Sequence, residues 1–385
     1  MTENVPAPSA PSPAPAPGTP RPRRRLGWVW AVLAVVVALA AGVFLGWGFG
    51  RSSATTTAST PNSTGAGTQE AGACDAVTVS NEVLPAVVTV SAAGSAGGGT
   101  GTGEIISSDG YIVTNNHVIA AAANGGKIAV LTSGGVDSPA QLVGRDPRSD
   151  LAVLKVTASS SLPTVPWGDS AKVVVGQPVV ALGAPLGLSG TVTSGIVSAL
   201  GRTVPVPGDN GQTAILANSI QTDASINPGN SGGALVDCTG DLIGINSAIA
   251  TVPNSAGQSG GGSVGIGFAI PSDFAHSIVD QLIATGHVTY PYFGISVAPI
   301  PPAAAEKLKV SDGLYVISVV PGGPSAAAGL QEGDVITEID GKPATDADTL
   351  VQTVMTTKAG QKVDVTYVRG GATKTTSVTL EMPPS

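Results

Sequence analysis

Gly229-Asn230-Ser231-Gly232-Gly233 sets a serine between glycines, with two candidate partners, His117 and Asp150, well upstream. A serine hydroxyl is a poor nucleophile until a neighbouring base takes its proton. Acyl transfer also needs backbone N–H groups aimed at the oxygen that becomes negative. Glycine beside the serine lets the chain turn sharply enough to present them. The stretch therefore supplies a nucleophile and an oxyanion site together.

The same five residues fit two folds. G-x-S-x-G also marks the strand-to-helix elbow of α/β-hydrolases, where the chain order is serine, acid, histidine. That reading requires an acid and His276 or His287 after Ser231, and strands alternating with long helices. Here His117 and Asp150 both precede Ser231, the order of chymotrypsin-like enzymes. His117 follows the strand-like run Tyr111–Asn116, and Asp150 opens the alternating run Asp150–Val156. A strand-edge aspartate can accept from the imidazole, fixing its tautomer. His276 and His287 read as solvent-facing.

Outward from these blocks, residues 76–270 are short apolar or alternating runs separated by turn residues. Ala86–Val90, Gly103–Ser107, Lys127–Leu131, Pro178–Leu182, Leu242–Ile245 and Gly265–Ile270 are examples. Ser108-Asp109-Gly110 reads as a hairpin turn. Such spacing points to an all-β barrel or sandwich. The composition agrees, with Gly 52 and Pro 30. Pro271–Gly286 then carries Phe274, Ala275, Ile278, Val279, Leu282 and Ile283 on one face, a helix capped by Ser272 or Asp273 and ended by Gly286. Residues 288–385 form a second unit, with strand-like runs and a helix over Asp346–Lys358.

The N-terminal quarter differs in kind. Residues 1–25 are a Pro/Ala tail ending in Arg21-Pro22-Arg23-Arg24-Arg25, expected to lie disordered in the cytoplasm. Leu26–Gly50 has no charged side chain. A helix of that length reaches about 37 Å, enough to span a membrane with some tilt. Trp28, Trp30 and Trp47 sit near its ends, and the arginines keep the N-terminus inside. A cleaved signal peptide is the alternative, for which the apolar run is long. Residues 51–75 read as a flexible tether to an external domain. Cys74 and Cys238 both lie outside, where an oxidising environment permits a bridge. Closing that loop would add about 5 kcal/mol in the chain-entropy view. Two unrelated buried thiols remain the other reading. A net charge of −8 gives no global case for nucleic-acid binding.

Thr114–Val118, Ser149–Lys155 and Thr222–Leu235 resemble, in order, the three active-site blocks of HtrA/Deg-family serine proteases. Gly267–Pro271 resembles that family's strand into the linker helix. Tyr292–Ile295 and Gly329–Ile336 resemble its PDZ domain. The resemblance covers roughly residues 76–382.

It implies a mostly β protein: a chymotrypsin-like double β-barrel over 76–287 and a PDZ domain over 288–385, behind one transmembrane helix. It makes His117 the general base, Asp150 its orienting acid and Ser231 the nucleophile. The amides of Gly229 and Ser231, with Asn230, would form the oxyanion hole, where losing one donor costs roughly 3 kcal/mol. Neutral Asn230 cannot pair with a new terminal amine, so order in the Asp223–Gly229 segment has to come from elsewhere. The loops Gly201–Gln212 and Thr251–Gly262 and the PDZ domain are the candidates. Ile226, Ala248 and Phe268 would line an S1 pocket for small or medium apolar side chains such as Val or Ala, with Ser225 at its base. The short loop Ala92–Thr102 resembles anchored members with one PDZ domain.

In the C-terminal unit, amides over Tyr292, Phe293, Gly294 and Ile295 would capture a peptide's C-terminal carboxylate. Leu350 and Val354 would line its groove, unless the groove is merely structural. The resemblance also implies unfolded polypeptide substrates, a homotrimer, and no cofactor or metal. Neither a nucleotide loop nor an H-E-x-x-H motif occurs.

Overall fold

The computed structural model describes residues 74–384, apart from 96, 185–189, 210–212, 250–262 and 311, and the side chains of 248 and 249. The expected membrane span, tail and most of the tether lie outside the described residues, as does the Thr251–Gly262 loop. Among the described residues no helix is long and apolar enough to cross a membrane.

The chain enters through α1 (Ala76–Val83), whose start is capped by the Asp75 carboxylate. Six antiparallel strands follow: β1 (Val87–Gly94), β2 (Gly97–Ile105), β3 (Tyr111–Asn115), β4 (Lys127–Thr132), β5 (Asp137–Asp146) and β6 (Leu151–Val156). They close into a barrel in the order β1-β2-β3-β6-β5-β4. A short helix, α2 (Asn116–Ile119), leaves the end of β3. A second closed barrel has the order β10-β11-β12-β9-β8-β7. Its strands are β7 (Pro178–Gly183), β8 (Thr191–Pro207), β9 (Thr213–Thr222), β10 (Ala234–Val236), β11 (Leu242–Ile249) and β12 (Gly267–Pro271).

Two expected loops are strand. Gly201–Pro207 continues β8, its Val204, Pro205 and Val206 paired with Leu216, Ile215 and Ala214. The run Ala92–Thr102 is a tight hairpin, paired down to Gly94 and Gly97. Glycine and proline read as loop when taken singly. A long two-stranded ribbon with register shifts accommodates both.

α3 (Ser272–Thr285) buries Ala275, Ile278, Val279 and Leu282 against the first barrel and ends at Gly286, φ +79°. Neither expected N-cap is used. Ser272 Oγ donates to the Gly168 carbonyl, and the Asp273 carboxylate accepts from Ser170 Oγ and the Ala171 amide. Both side chains tie the helix to the preceding segment instead.

The C-terminal unit is a sheet ordered β13-β14-β15-β17-β18, with β16 beside β15. Its strands are β13 (Ile295–Pro299), β14 (Leu314–Val319), β15 (Val335–Ile339), β16 (Lys342–Pro343), β17 (Lys362–Arg369) and β18 (Ala372–Thr379). Three helices accompany it: α4 (Pro302–Leu308), α5 (Pro324–Ala327) and α6 (Ala347–Thr356). The unit has its own core, including Phe293, Leu314, Val316, Ile336, Val363 and Val378. Its helix α6 also abuts the second barrel. Met355 joins the protease-side core, and Gln352 hydrogen-bonds Thr203 and Asn218 at 2.6 Å each. Cys74 and Cys238 are joined by a disulfide, which ties the start of α1 to the turn after β10.

Candidate active site

The register of one sheet assembles the first half of the site. Asn115, the last residue of β3, pairs with Leu151, the first of β6. His117 and Asp150 therefore emerge side by side. Asp150 adopts φ +59°, a left-handed conformation that costs a non-glycine residue energy. It is held there by its own carbonyl, which accepts from the Asn116 amide at 3.0 Å and from Asn115 Nδ2 at 2.9 Å. One carboxylate oxygen accepts the His117 amide at 3.0 Å; the other lies 2.8 Å from His117 Nδ1. Asp150 is 3% exposed, whereas the His117 side chain keeps 40% of its surface open.

Charge around the imidazole acts in both directions. Desolvation, the largest single influence, pulls the His117 pKa down. The hydrogen bond and charge of Asp150, with the more distant charge of Asp209, outweigh it, and the net pKa is raised above 6.5. Asp209 itself is ion-paired with Arg145, whose guanidinium also donates to Asn116 Oδ1 at 3.0 Å.

Ser231 comes from the second barrel, in the segment between β9 and β10. Pro228 and Gly229 are the central residues of a turn closed by the Asn230 amide donating to the Asn227 carbonyl at 2.9 Å. Gly229 has φ +102°, as the third position of a type II turn requires. Among the described residues the Gly229 and Ser231 amides meet no acceptor, while that of Asn230 is already committed to Asn227. Two donors of the expected three are thus free.

Among the described residues, order in this segment comes from β8, from the first barrel and from Ser263, whose amide donates to Asn227 Oδ1 at 2.9 Å. Asp223 accepts the Ile196 amide at 2.7 Å, and Thr193 Oγ1 donates to the Ser225 carbonyl at 3.0 Å. Thr102 of β2 reaches across: its hydroxyl donates to the Gly229 carbonyl at 2.7 Å, and its amide to the Ser231 carbonyl at 2.8 Å.

Ser247, on β11, joins the halves. Its hydroxyl donates to Asp150 at 2.7 Å and its carbonyl accepts from Ser231 Oγ at 3.3 Å. Sequence reading missed this residue, because a serine in a strand carries no local signal. The Ser231 hydroxyl has no hydrogen bond to His117; it is turned to the Ser247 carbonyl.

The expected S1 residues are only partly placed as a wall. Ile226 is 1% exposed in the second barrel's core, its Cγ1 against Gly267. Phe268 is half-buried on β12, and Ala248 pairs with it through the backbone, the Ala248 side chain lying outside the described residues. Ser225 is exposed.

In the C-terminal unit β13 is an edge strand. The Val320 amide donates to the Gly294 carbonyl, so Ile295↔Val319 is a non-hydrogen-bonded pair and the Ile295 amide faces the open edge. The Phe293 and Gly294 amides meet no acceptor among the described residues, whereas that of Tyr292 donates to the Glu381 carbonyl at 2.8 Å. The Phe293 side chain is a core residue, 3% exposed, so it contributes backbone and not a groove wall. Leu350 and Val354 are half-buried against the same core as Ile295.

Two barrels with an acid–imidazole pair on one and a serine on a turn with free amides on the other define a trypsin-like serine peptidase domain. Comparison agrees: a trypsin-like peptidase domain model matches residues 101–245, and a PDZ domain model matches residues 291–380. The serine protease PepD of Mycobacterium tuberculosis is 41% identical over 309 residues, 78% of this chain and 65% of that protein. The periplasmic pH-dependent serine endoprotease DegQ of Escherichia coli is 44% identical over 290 residues, 74% of this chain and 60% of that protein. A solved structure of the HtrA-type protease AlgW with tripeptide matches 80% of this chain and 98% of its own, at 38% identity and TM-score 0.61. The chain belongs to the HtrA-type serine protease family, with one PDZ domain. It spans less than two thirds of the length of the curated relatives just described.

Proposed function

We propose that the protein is an ATP-independent serine endopeptidase that cuts unfolded or damaged polypeptides outside the cytoplasm. The observation that carries this is the Asp150 carboxylate, which holds His117 on one side and, through Ser247, the Ser231 hydroxyl on the other. In the reaction Ser231 Oγ turns from the Ser247 carbonyl to His117 Nε2 and attacks the peptide carbonyl carbon. Its proton passes to His117, whose charge Asp150 stabilises. The new oxyanion meets the Gly229 and Ser231 amides. Collapse breaks the C–N bond as His117 protonates the leaving amine. Water then repeats the sequence on the acyl-enzyme.

The proposal extends to the rest of the chain. Residues 76–287 form the protease and 288–385 the PDZ domain, tethered through 51–75 to a single span at 26–50 with 1–25 in the cytoplasm. The uncharged run, its flanking arginines and the periplasmic naming of relatives support that placement. The free amides at Phe293–Ile295 beside an open edge support capture of peptide C-termini. The contacts of α6 with Thr203 and Asn218 give bound peptide a route to the second barrel. Small or medium apolar side chains would occupy S1, and homotrimers are the assembly expected of the family.

A second reading follows from the Ser231 hydroxyl being bonded to Ser247 and not to His117: a latent protease acting chiefly as a PDZ-bearing scaffold. Labelling with a fluorophosphonate, and mass spectrometry of casein digests, separate the two. Wild type is expected to label and to cut after small or medium apolar residues, and Ser231→Ala to do neither. Absence of labelling, with peptide binding retained, overturns the protease reading in favour of the scaffold.

A further inference from the structure

The turn Asp146-Pro147-Arg148-Ser149-Asp150 delivers Asp150 in its left-handed conformation, and a second buried carboxylate organises that turn. Asp146 is 5% exposed. Its Oδ2 accepts from the Ser149 amide at 3.1 Å and the Ser149 hydroxyl at 2.5 Å. Its Oδ1 accepts the Arg148 amide at 3.4 Å. A carboxylate that gathers donors from the residues two and three positions on shapes an Asx-type turn.

One donor to Asp146 comes from far along the chain. Tyr290 Oη donates to Asp146 Oδ2 at 2.5 Å, and the ring is 8% exposed. Tyr290 lies in the segment between α3 and the PDZ sheet. That segment is held on both sides of the ring: the Thr289 amide donates to Gln281 of α3, and the Tyr292 amide to Glu381 after β18. The Arg148 guanidinium covers the ring at 5.0 Å, while the Arg148 carbonyl accepts the Ile215 amide of β9. Burial, then the adjacent Asp146 charge and hydrogen bond, push the phenol's pKa far up, so it stays a donor. One flank of Tyr290 faces a cleft of about 720 Å³ bounded by α3, β9 and α6, which leaves the joining segment room to shift.

We propose that Tyr290 is a positioning residue for Asp150: the segment joining the two domains donates the buried hydrogen bond that fixes the turn carrying the acid. It acts through Asp146 and touches neither substrate nor His117. A displacement of the PDZ domain that withdraws the phenol leaves Asp146 short of a donor and loosens Asp150 under His117. This deepens the triad reading above and rests on it.

Tyr290→Phe keeps the ring and removes only the hydroxyl. With a fluorogenic peptide and the full chain, kcat is expected to fall roughly tenfold with KM unchanged. The acidic limb of kcat/KM is expected to move down by about half a pH unit, because a looser Asp150 supports the imidazolium less. Asp146→Asn should move the same limb the same way, and the double variant should be no worse than the poorer single. Wild-type kcat and an unmoved limb in Tyr290→Phe, or fully additive losses in the double variant, overturn the proposal. A fall confined to thermal stability, with the limb in place, also overturns it. Failure of the triad reading looks different: wild type itself shows no fluorophosphonate labelling and no turnover above Ser231→Ala.

Discussion

The two barrels contribute unequal halves to one site. The first barrel's half is assembled by a single sheet: the pairing of Asn115 with Leu151 brings His117 and Asp150 together, and five hydrogen-bond contacts converge on Asp150. The second barrel's half is a segment of turns outside the named strands, held by isolated backbone and side-chain hydrogen bonds from β2, β8 and β11. Thr102 grips it from the first barrel, and Thr193 and Ile196 grip it from β8. Ladder bonds form or break with the whole sheet, whereas isolated bonds to a turn can be lost singly. Control over such a site is therefore easiest to exert on the serine half. The acid half is reached through its turn, through the Ser247 hydroxyl and through the charge of Asp209.

The strongest way to break this comparison is at the bridge. Ser247→Ala removes the one side chain that, among the described residues, bonds Asp150 from the second barrel. A hydrogen bond to a buried charge is worth about 1.5–3 kcal/mol, so kcat/KM should fall roughly ten- to a hundredfold. Peptide kinetics check this. An unchanged rate would mean that the halves are positioned independently.

A smaller effect is expected at Glu104. This residue lies on β2, two positions after Thr102 and on the same side of the strand. It is fully buried, and neither carboxylate oxygen has a partner among the described residues. Burial raises its pKa well above 4.5, with only its own backbone amide opposing. Its contribution to stability is thus fully present below pH 4.5 and is lost as pH climbs from there through the folded-state value. Glu104→Gln should melt higher than wild type at pH 8, by about 3 °C for each kcal/mol relieved, and the gap should close towards pH 4. Melting curves across pH decide it. A gap independent of pH would show that Glu104 is neutral, or charged, throughout.

The smallest effect is electrostatic. Asp209, at the end of the long β8–β9 ribbon, helps to raise the His117 pKa without touching the imidazole. Asp209→Asn should lower it, so the acidic limb of kcat/KM moves to lower pH by a few tenths of a unit. A limb that moves upward, or stays fixed, would restrict the second barrel's influence on His117 to the Ser247 bridge.

Much of the architecture was readable beforehand because it is written locally. Period-2 runs mark the barrels, a helical stripe from Phe274 to Leu282 marks α3, and the order of His117, Asp150 and Ser231 selects between two serine chemistries. The errors also have local causes. Gly201–Pro207 and Gly97–Gly101 look like loops when read by residue type, and strand pairing overrides that reading. Ser272 and Asp273 looked like caps, and packing of α3 gave them other partners.

The sequence by itself determined the residue types needed for the chemistry, their order along the chain, and the division into a β-rich domain and a smaller C-terminal unit. These follow from periodicity and from which side chains can act as base, acid and nucleophile. Only the tertiary structure decided that Ser247 bridges Asp150 and Ser231, that Thr102 fastens the Gly229 turn, and that Tyr290 reaches Asp146 across 144 positions. Each of these contacts joins segments far apart in the chain. A serine, threonine or tyrosine has the same local appearance whether or not such a partner waits for it, and only the closing of the barrels and the docking of the second unit bring the partners within hydrogen-bond range.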